Sequence, residues 1–267
     1  MTSRSSRLAW LGLAALLVAT LPSLAAPPTG RVAVGPARLS SAAPLDDTRA
    51  PVEVGRFLLD RRPITNGEFL AFVRAHPEWR RDRVKALFAD AGYLSHWASP
   101  TALGHDVRAE QPVTRVSWFA ARAYCKAHDG RLPGFHEWEL AAAADERSQD
   151  ARKDPAFQQR LLDWYARPNG ALVDVGRGRP NVHGLYDVHG LVWEWVEDFS
   201  SLLVSADSRE QGGADKLAFC GAGAATLEQK EGYAMFMRIA FLSALEARFT
   251  TRNLGFRCAA DAPGGRR

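Results

Sequence analysis

Cysteine, long hydrophobic runs and an excess of charge are all scarce in this sequence of 267 residues. Only three cysteines are present, so one disulfide would leave one thiol over. Past the amino terminus no apolar stretch is long enough to span a membrane. The formal net charge of +4 is too small to argue for a nucleic-acid or membrane-surface partner. Repeats at a fixed period are absent, which argues against a solenoid or propeller.

Several catalytic signatures are also missing. The seven histidines show no HxxxH or HExxH spacing, so a zinc-protease site is unsupported. A phosphate-binding loop of the Walker type is absent, and no alternation of strands and helices predicts a nucleotide-binding sheet. The composition is nevertheless globular, with 46% hydrophobic residues and eight tryptophans. These counts predict a folded domain with a large aromatic core.

The amino terminus has the pattern of a secretory signal peptide over residues 1–26. Arg4 and Arg7 precede an apolar run from Leu8 to Val18, and small residues follow up to Ala26. An uncleaved membrane anchor is the alternative. Cleavage would remove two arginines and no acid, lowering the net charge to +2. We therefore expect a periplasmic or secreted protein with no membrane association after cleavage, in a compartment that permits disulfides.

The rest of the chain divides into a leader and one domain. Residues 27–50 are rich in Pro, Ala, Ser and Gly and are expected to be flexible, whereas residues 52–262 carry the folded pattern. The pattern predicts an early strand and four helices, the first opened by the capping box of Thr65 and Glu68. The other helices are expected from Ser117, after Pro133-Gly134 and near Phe157–Tyr165. Glycine-separated short segments after residue 180 predict an irregular α+β fold.

Five motifs occur in an order that is similar to one known family: PITNGEFLAFV, QPVTRVSWFAARAYC, GRLPGFHEWELAAA, GLYDVHGLVWEWVEDF and NLGFRCAAD. With these motifs, residues 52–262 resemble the formylglycine-generating enzymes, also called sulfatase-modifying factors. The resemblance implies an irregular α+β fold related to C-type lectin domains, with little regular secondary structure.

The founding activity of that family is copper-dependent oxidation of a sulfatase cysteine to formylglycine. Two cysteines bind Cu(I) there, since soft thiolates suit a soft metal. They lie between a Gly-Gly-Ser-type turn and a closing Phe-Arg-Cys segment, which resemble Cys220–Gly223 and Phe256–Cys258 here. No cysteine occurs from Gly221 to Arg257. The sequence therefore predicts a member that is not a copper-dependent formylglycine-generating enzyme.

The segment around GLYDVHGLVWEW resembles a calcium-binding turn of the family. The implied ligands are the side chains of Asp187 and Glu194 and the carbonyl oxygens of Gly190 and Val192. Calcium takes hard oxygen ligands of these two kinds. The alternative is that Asp187 caps a turn, Glu194 pairs with an arginine, and no metal binds. A second family site, upstream, has no counterpart in the altered residues 166–179.

The resemblance further implies a disulfide between Cys125 and Cys258. Two buried free thiols, or a pairing of Cys125 with Cys220, are the alternatives. An unpaired Cys220 is the candidate catalytic residue, as a nucleophile, a soft-metal ligand or a mixed-disulfide partner. It could equally be a buried small hydrophobe.

Two further residue pairs are weaker candidates. His183 and His189 flank the turn and could meet in space, although ordinary surface histidines explain them as well. Met235 and Met237 in YAMFMRIAF alternate with other residues, which is typical of core packing in a strand. A thioether copper site is the alternative reading of the methionines.

Three functions fit these observations. The first is a periplasmic or secreted accessory protein that helps to mature a metalloenzyme, such as copper nitrite reductase, or a secreted metabolite. Its client would be a protein or a small molecule, and it could be an oxidoreductase whose catalytic residues, Cys220 apart, are not identifiable. The second is a non-catalytic binding domain stiffened by calcium. The third is a protein-cysteine oxidase with an unconventional mechanism.

Overall fold

The computed structural model describes residues 30–42, 50–166, 172–201 and 230–263. The signal-peptide region and Cys220 lie outside this part of the chain. Its strands are β1 Arg31–Val34, β2 Ala37–Leu39, β3 Val52–Val54, β4 Phe57–Asp60, β5 Trp193–Glu194, β6 Leu254–Gly255 and β7 Ala259–Asp261. Its helices are α1 Asn66–Ala75, α2 Trp118–Ala127, α3 Phe135–Ala142, α4 Pro155–Tyr165 and α5 Lys230–Ser243, with 3-10 turns at Pro77–Trp79 and Phe199–Ser201. The predicted irregular α+β fold is confirmed.

Three small sheets hold the ends of the chain together. Strands β1, β4 and β7 pair antiparallel in that order, β2 pairs antiparallel with β3, and β5 pairs parallel with β6. The carboxy-terminal strand β7 thus lies beside β4, about 200 residues earlier in the chain. The fold is closed by long-range pairing, and this pairing brings the 254–261 segment against the start of the domain.

The prediction of a flexible leader over residues 27–50 is wrong for residues 31–39. Strand β1 pairs with β4 and β2 with β3, and Val34 and Leu39 are buried in the core. The Gly and Pro content that suggested mobility instead makes the tight connection between the two strands. Gly35 has φ +72°, and a Cβ there would lie 2.8 Å from the carbonyl oxygen of Gly55. Only glycine fits such a close backbone approach without strain.

Side-chain hydrogen bonds begin three of the four predicted helices where the sequence predicts them. The Thr65 and Glu68 capping box opens α1, and the Ser117 hydroxyl accepts from the Ala120 amide at α2. The Glu137 carboxylate accepts from the Gly134 amide at α3. Each cap satisfies an amide that would otherwise lack a partner in the first turn.

The strand predicted for YAMFMRIAF is a helix instead. Met235, Ile239 and Leu242 of α5 are buried, at the i, i+4, i+7 spacing of one helical face. The helical period cannot be recognised in these nine residues of the sequence, because nearly every one of them is apolar.

Two tryptophans of the WEW motif fix the segment after the turn to the core. Trp195 is fully buried and its indole N–H donates to the Val116 carbonyl at 3.0 Å. Trp193 is half-buried and stacks on Tyr165 of α4, with ring centroids 5.1 Å apart. The tryptophans therefore do serve packing, as their strand position indicates. None of the helices in the described ranges has the length and apolar content needed to cross a bilayer.

A disulfide joins Cys125 at the end of α2 to Cys258 just before β7, with 5.4 Å between the Cα atoms. The predicted pairing is confirmed, and the alternatives of free thiols or a Cys125–Cys220 bond are wrong. Closing a loop with a sequence separation of 133 stabilises the fold by about 5 kcal/mol in the chain-entropy model.

Candidate functional site

The turn at residues 184–194 has the unusual backbone that its glycines indicate. Gly184, Asp187 and Gly190 all have positive φ angles, of +80°, +53° and +93°. A left-handed conformation is tolerated by aspartate more readily than by most residues. The Asp187 carboxylate accepts from the Gly176 amide, which ties the turn to the preceding loop. Burial raises the pKa of Asp187, partly offset by that hydrogen bond.

Glu194, at the end of the turn, is the centre of a buried ion pair. Its carboxylate and the Arg257 guanidinium are both fully buried. Arg257 Nε lies 3.0 Å from Oε1 and 2.9 Å from Oε2, and Nη2 lies 2.8 Å from Oε1. The Trp138 indole N–H donates to Oε2 at 2.7 Å. The acid between the two tryptophans therefore holds Arg257 inside the core.

The Glu194 carboxylate is engaged by donors of the protein itself. An ionised carboxylate has about four acceptor positions. Three N–H groups of Arg257 and Trp138 make four contacts to it, because the Arg257 Nε–H lies against both oxygens. The predicted alternative, in which Glu194 pairs with an arginine, describes this geometry. Gly190 and Val192 keep their expected places in the turn, and calcium binding there stays a prediction.

A second arginine lies beside this pair. Arg238 of α5 is 1% exposed, and its guanidinium carbon is 3.5 Å from the centroid of the Trp138 ring. Its Nη2 donates to the Glu194 carbonyl at 2.7 Å. Burial lowers the pKa of Arg238 to about 10, so the side chain is a cation at neutral pH. One acid and two arginines therefore share this part of the core.

His189 packs against the same tryptophan. Its ring meets Trp138 and Phe157 edge to face, with centroids 5.5 and 5.8 Å away. Its Nε2 lies 2.9 Å from the carbonyl oxygen of Ala142, which can only accept, so Nε2 carries the proton. Burial lowers the pKa of His189 to about 4, and the ring is neutral at pH 7. Within the described ranges no contact joins it to His183.

Two cavities open on either side of His189. The larger, of about 230 Å³, has acids and arginines on its walls: Asp145, Glu146, Arg160, Arg179 and Asp187. The smaller, of about 30 Å³, lies between α3, α4 and α5 and has mostly apolar walls. Phe157, Leu161 and His189 line both. His189 of the turn therefore lines both a polar and an apolar cavity.

The predicted thioether site does not form. Met235 is buried, whereas Met237 is half-buried on another face of α5. Residues two positions apart on a helix point about 200° away from each other. They cannot converge on one copper ion, and the methionines serve packing instead.

The chain matches the family of the sulfatase-modifying factor enzyme 1-like domain over residues 17–262. It belongs to this family. The formylglycine-generating enzyme of Streptomyces coelicolor is 30% identical over 263 residues, with 81% of this chain and 82% of the relative covered. The inactive C-alpha-formylglycine-generating enzyme 2 of Mus musculus is 29% identical, with 88% and 81% covered.

The hercynine oxygenase of Mycobacterium tuberculosis matches a smaller part of the chain. It is 31% identical over 162 residues, which cover 54% of this chain and 38% of the relative. Among solved structures, PvdO from Pseudomonas aeruginosa is 18% identical with a TM-score of 0.46 and covers 88% of this chain and 92% of that one.

Two functional candidates were missed by sequence reasoning. Arg238 lies in an apolar stretch whose alternation predicts a strand, so the sequence gives it no functional role. A lone charge among YAMFMRIAF was the available signal, since arginine is rarely buried without a partner. Trp138 was expected in the core, but its hydrogen bond to Glu194 joins segments 56 residues apart and has no local sequence pattern. Cys220 lies outside the described residues.

Proposed function

We propose that this chain is an extracytoplasmic accessory protein of the formylglycine-generating enzyme family that binds a client and does not carry out copper-dependent formylglycine formation. The observation that carries the proposal is the absence of any cysteine from Gly221 to Arg257. In the copper-dependent members, as the resemblance has it, both copper ligands come from this interval. Cu(I) sites in proteins depend on such soft ligands.

The described part of that interval, residues 230–257, is used for packing. Helix α5 places Met235, Ile239 and Leu242 in the core. At the end of the interval Arg257 is held by Glu194, and the next residue, Cys258, is in the disulfide. Neither cysteine of the disulfide is available as a thiolate. Cys220 is then the one thiol of the sequence left for chemistry, and one thiol does not make a two-cysteine copper site.

An accessory role that depends on binding fits the space beside the turn. The cavity of about 230 Å³ has walls of both charges, with Asp145 and Asp187 among its acids and Arg160 and Arg179 as its arginines. Mixed charge in a concave site suits a polar client segment or a small polar metabolite better than a lipid or nucleic acid. The signal-peptide pattern supports a client outside the cytoplasm. The name of the mouse relative, which calls it inactive, supports a member without the founding activity.

The test is incubation of the mature protein with a sulfatase peptide containing Cys-x-Pro-x-Arg, under oxygen, with and without added copper. We expect the peptide mass to stay unchanged in both conditions. A Cys220→Ser variant, run in parallel, separates the remaining possibilities. Conversion that needs copper would refute the proposal, and conversion that persists without copper and disappears in Cys220→Ser would replace it with an unconventional cysteine oxidase.

A further inference from the structure

The small cavity between α3, α4 and α5 has a mostly apolar wall and a volume of about 30 Å³. Most of the wall is hydrocarbon, from Phe157, Leu161, Leu162, Met235 and neighbouring alanines. Its polar lining residues in the described part of the chain are Arg152, Gln158, Tyr165, His189 and Arg238. Of these five, His189 and Arg238 have a buried side-chain nitrogen with no hydrogen-bond partner.

Arg238 brings an unused donor. Its Nη2 is engaged with the Glu194 carbonyl, but its Nε is buried and has no hydrogen-bond partner. Within the described part of the chain no carboxylate pairs with it, since the Glu194 carboxylate is held by Arg257 and Trp138. Fully buried arginines are rare without a partner. The contacts of the described residues therefore do not account for the Nε donor.

His189 brings an unused acceptor. Because Nε2 donates to the Ala142 carbonyl, Nδ1 of the neutral ring carries a lone pair. That atom is buried and has no partner either. The two side chains that carry this N–H and this lone pair line the same cavity. Each group is costly to leave unpaired in an apolar environment.

We propose that this cavity binds a carboxamide group, with its carbonyl oxygen accepting from Arg238 Nε and its N–H donating to His189 Nδ1. A carboxamide is small and planar, and it offers an acceptor and a donor side by side. A carboxylate offers two acceptors, one of which would face the lone pair of His189. An aliphatic ketone offers the oxygen but no donor. The ligand class is therefore a side-chain or terminal amide, on a peptide or on a small metabolite.

This inference does not depend on the proposed accessory function, because it concerns a binding site and not the chemistry of Cys220. An amide site could serve an enzyme or a binding protein equally. The sulfatase-peptide assay and the amide titration can therefore fail separately.

The test uses the mature full-length protein and three four-heavy-atom probes of the same shape: acetamide, acetone and acetate. Binding is followed by ligand-observed and ¹H–¹⁵N NMR titrations at pH 7. We expect saturable acetamide binding, with acetone and acetate at least tenfold weaker. Arg238→Met should weaken acetamide binding at least tenfold. The matched control is Arg122→Met, since Arg122 also lies over a tryptophan, 5.2 Å from the Trp118 ring, but lines no part of this cavity.

His189→Gln isolates the acceptor. Glutamine Nε2 can replace the histidine Nε2 in the bond to Ala142, while the Nδ1 lone pair is lost. We expect this variant to bind acetamide and acetone equally. If circular dichroism shows that Arg238→Met does not fold, His189→Gln alone tests the proposed amide site. The proposal is overturned if acetamide does not bind saturably, if acetate binds more tightly than acetamide, or if folded Arg238→Met or His189→Gln keeps the wild-type preference.

Discussion

Replacing Glu194 by glutamine tests the buried ion pair that holds the carboxy-terminal segment. The change keeps the size of the side chain but removes its charge, so Arg257 is left as an uncompensated cation at 0% exposure. It also puts an N–H₂ donor against Arg257 or the Trp138 indole, both of which are donors themselves. Breaking a buried pair in this way costs about 3–5 kcal/mol.

For a domain of this length that cost corresponds to a fall in Tm of roughly 6–20 °C. The assay is urea unfolding followed by tryptophan fluorescence, with calorimetry for Tm. Glu246→Gln is the matched control, because Glu246 pairs with Arg248 at the surface, where the side chains are 59% and 48% exposed. We expect the control to lose at most about 1 kcal/mol. A loss of less than about 1 kcal/mol in Glu194→Gln would refute the assignment of this pair as a core element.

Further predictions concern other parts of the fold. Replacing both Cys125 and Cys258 by alanine should lower the free energy of unfolding by about 5 kcal/mol, measured in urea. Gly35→Ala should lower Tm, because its Cβ would lie 2.8 Å from the Gly55 carbonyl at a positive φ, whereas Gly55→Ala, with open space, should lower it less. EGTA should leave Tm unchanged, since Arg257 and Trp138 already hold the Glu194 carboxylate of the turn; a fall in Tm reversed by calcium would contradict this. For Glu68, burial raises the pKa but the bonds from its arginine and threonine neighbours outweigh it, so the folded pKa is lowered from 4.5. Its stabilisation is then present above pH 4.5 and lost as the pH falls through the folded pKa, which Glu68→Gln should show as a weaker acid dependence of unfolding.

Local chemistry made some elements predictable. Three helix starts are each signalled by residues within four positions of one another: the Thr65 and Glu68 capping box, the Ser117 cap and the Pro-Gly start of α3. Each of these helices begins where its signal predicts. The left-handed glycines of the 184–194 turn follow the same logic. The disulfide needed the family resemblance, because three cysteines alone allow three pairings.

Long-range contacts determine the features of the fold that the sequence does not predict. The Pro, Ala, Ser and Gly content of residues 27–50 predicts a flexible leader, whereas the strands β1 and β2 within it are stabilised by pairing with β4 and β3. The partner of Glu194 is Arg257, 63 residues away, so nothing near the acid distinguishes an ion pair from a metal ligand. The burial of Arg238 against Trp138 follows from the helical structure of α5, which the sequence does not predict.

The most direct test of the central claim, that the copper site of the family is absent, is copper retention by the mature protein. The protein, purified without chelators, is loaded with Cu(I), desalted and measured by plasma mass spectrometry beside a Cys220→Ser variant. The account predicts far less than one copper per chain in both proteins, because a single thiol outside the disulfide cannot replace a cysteine pair. Near-stoichiometric copper in the unaltered protein that is lost in Cys220→Ser would contradict it.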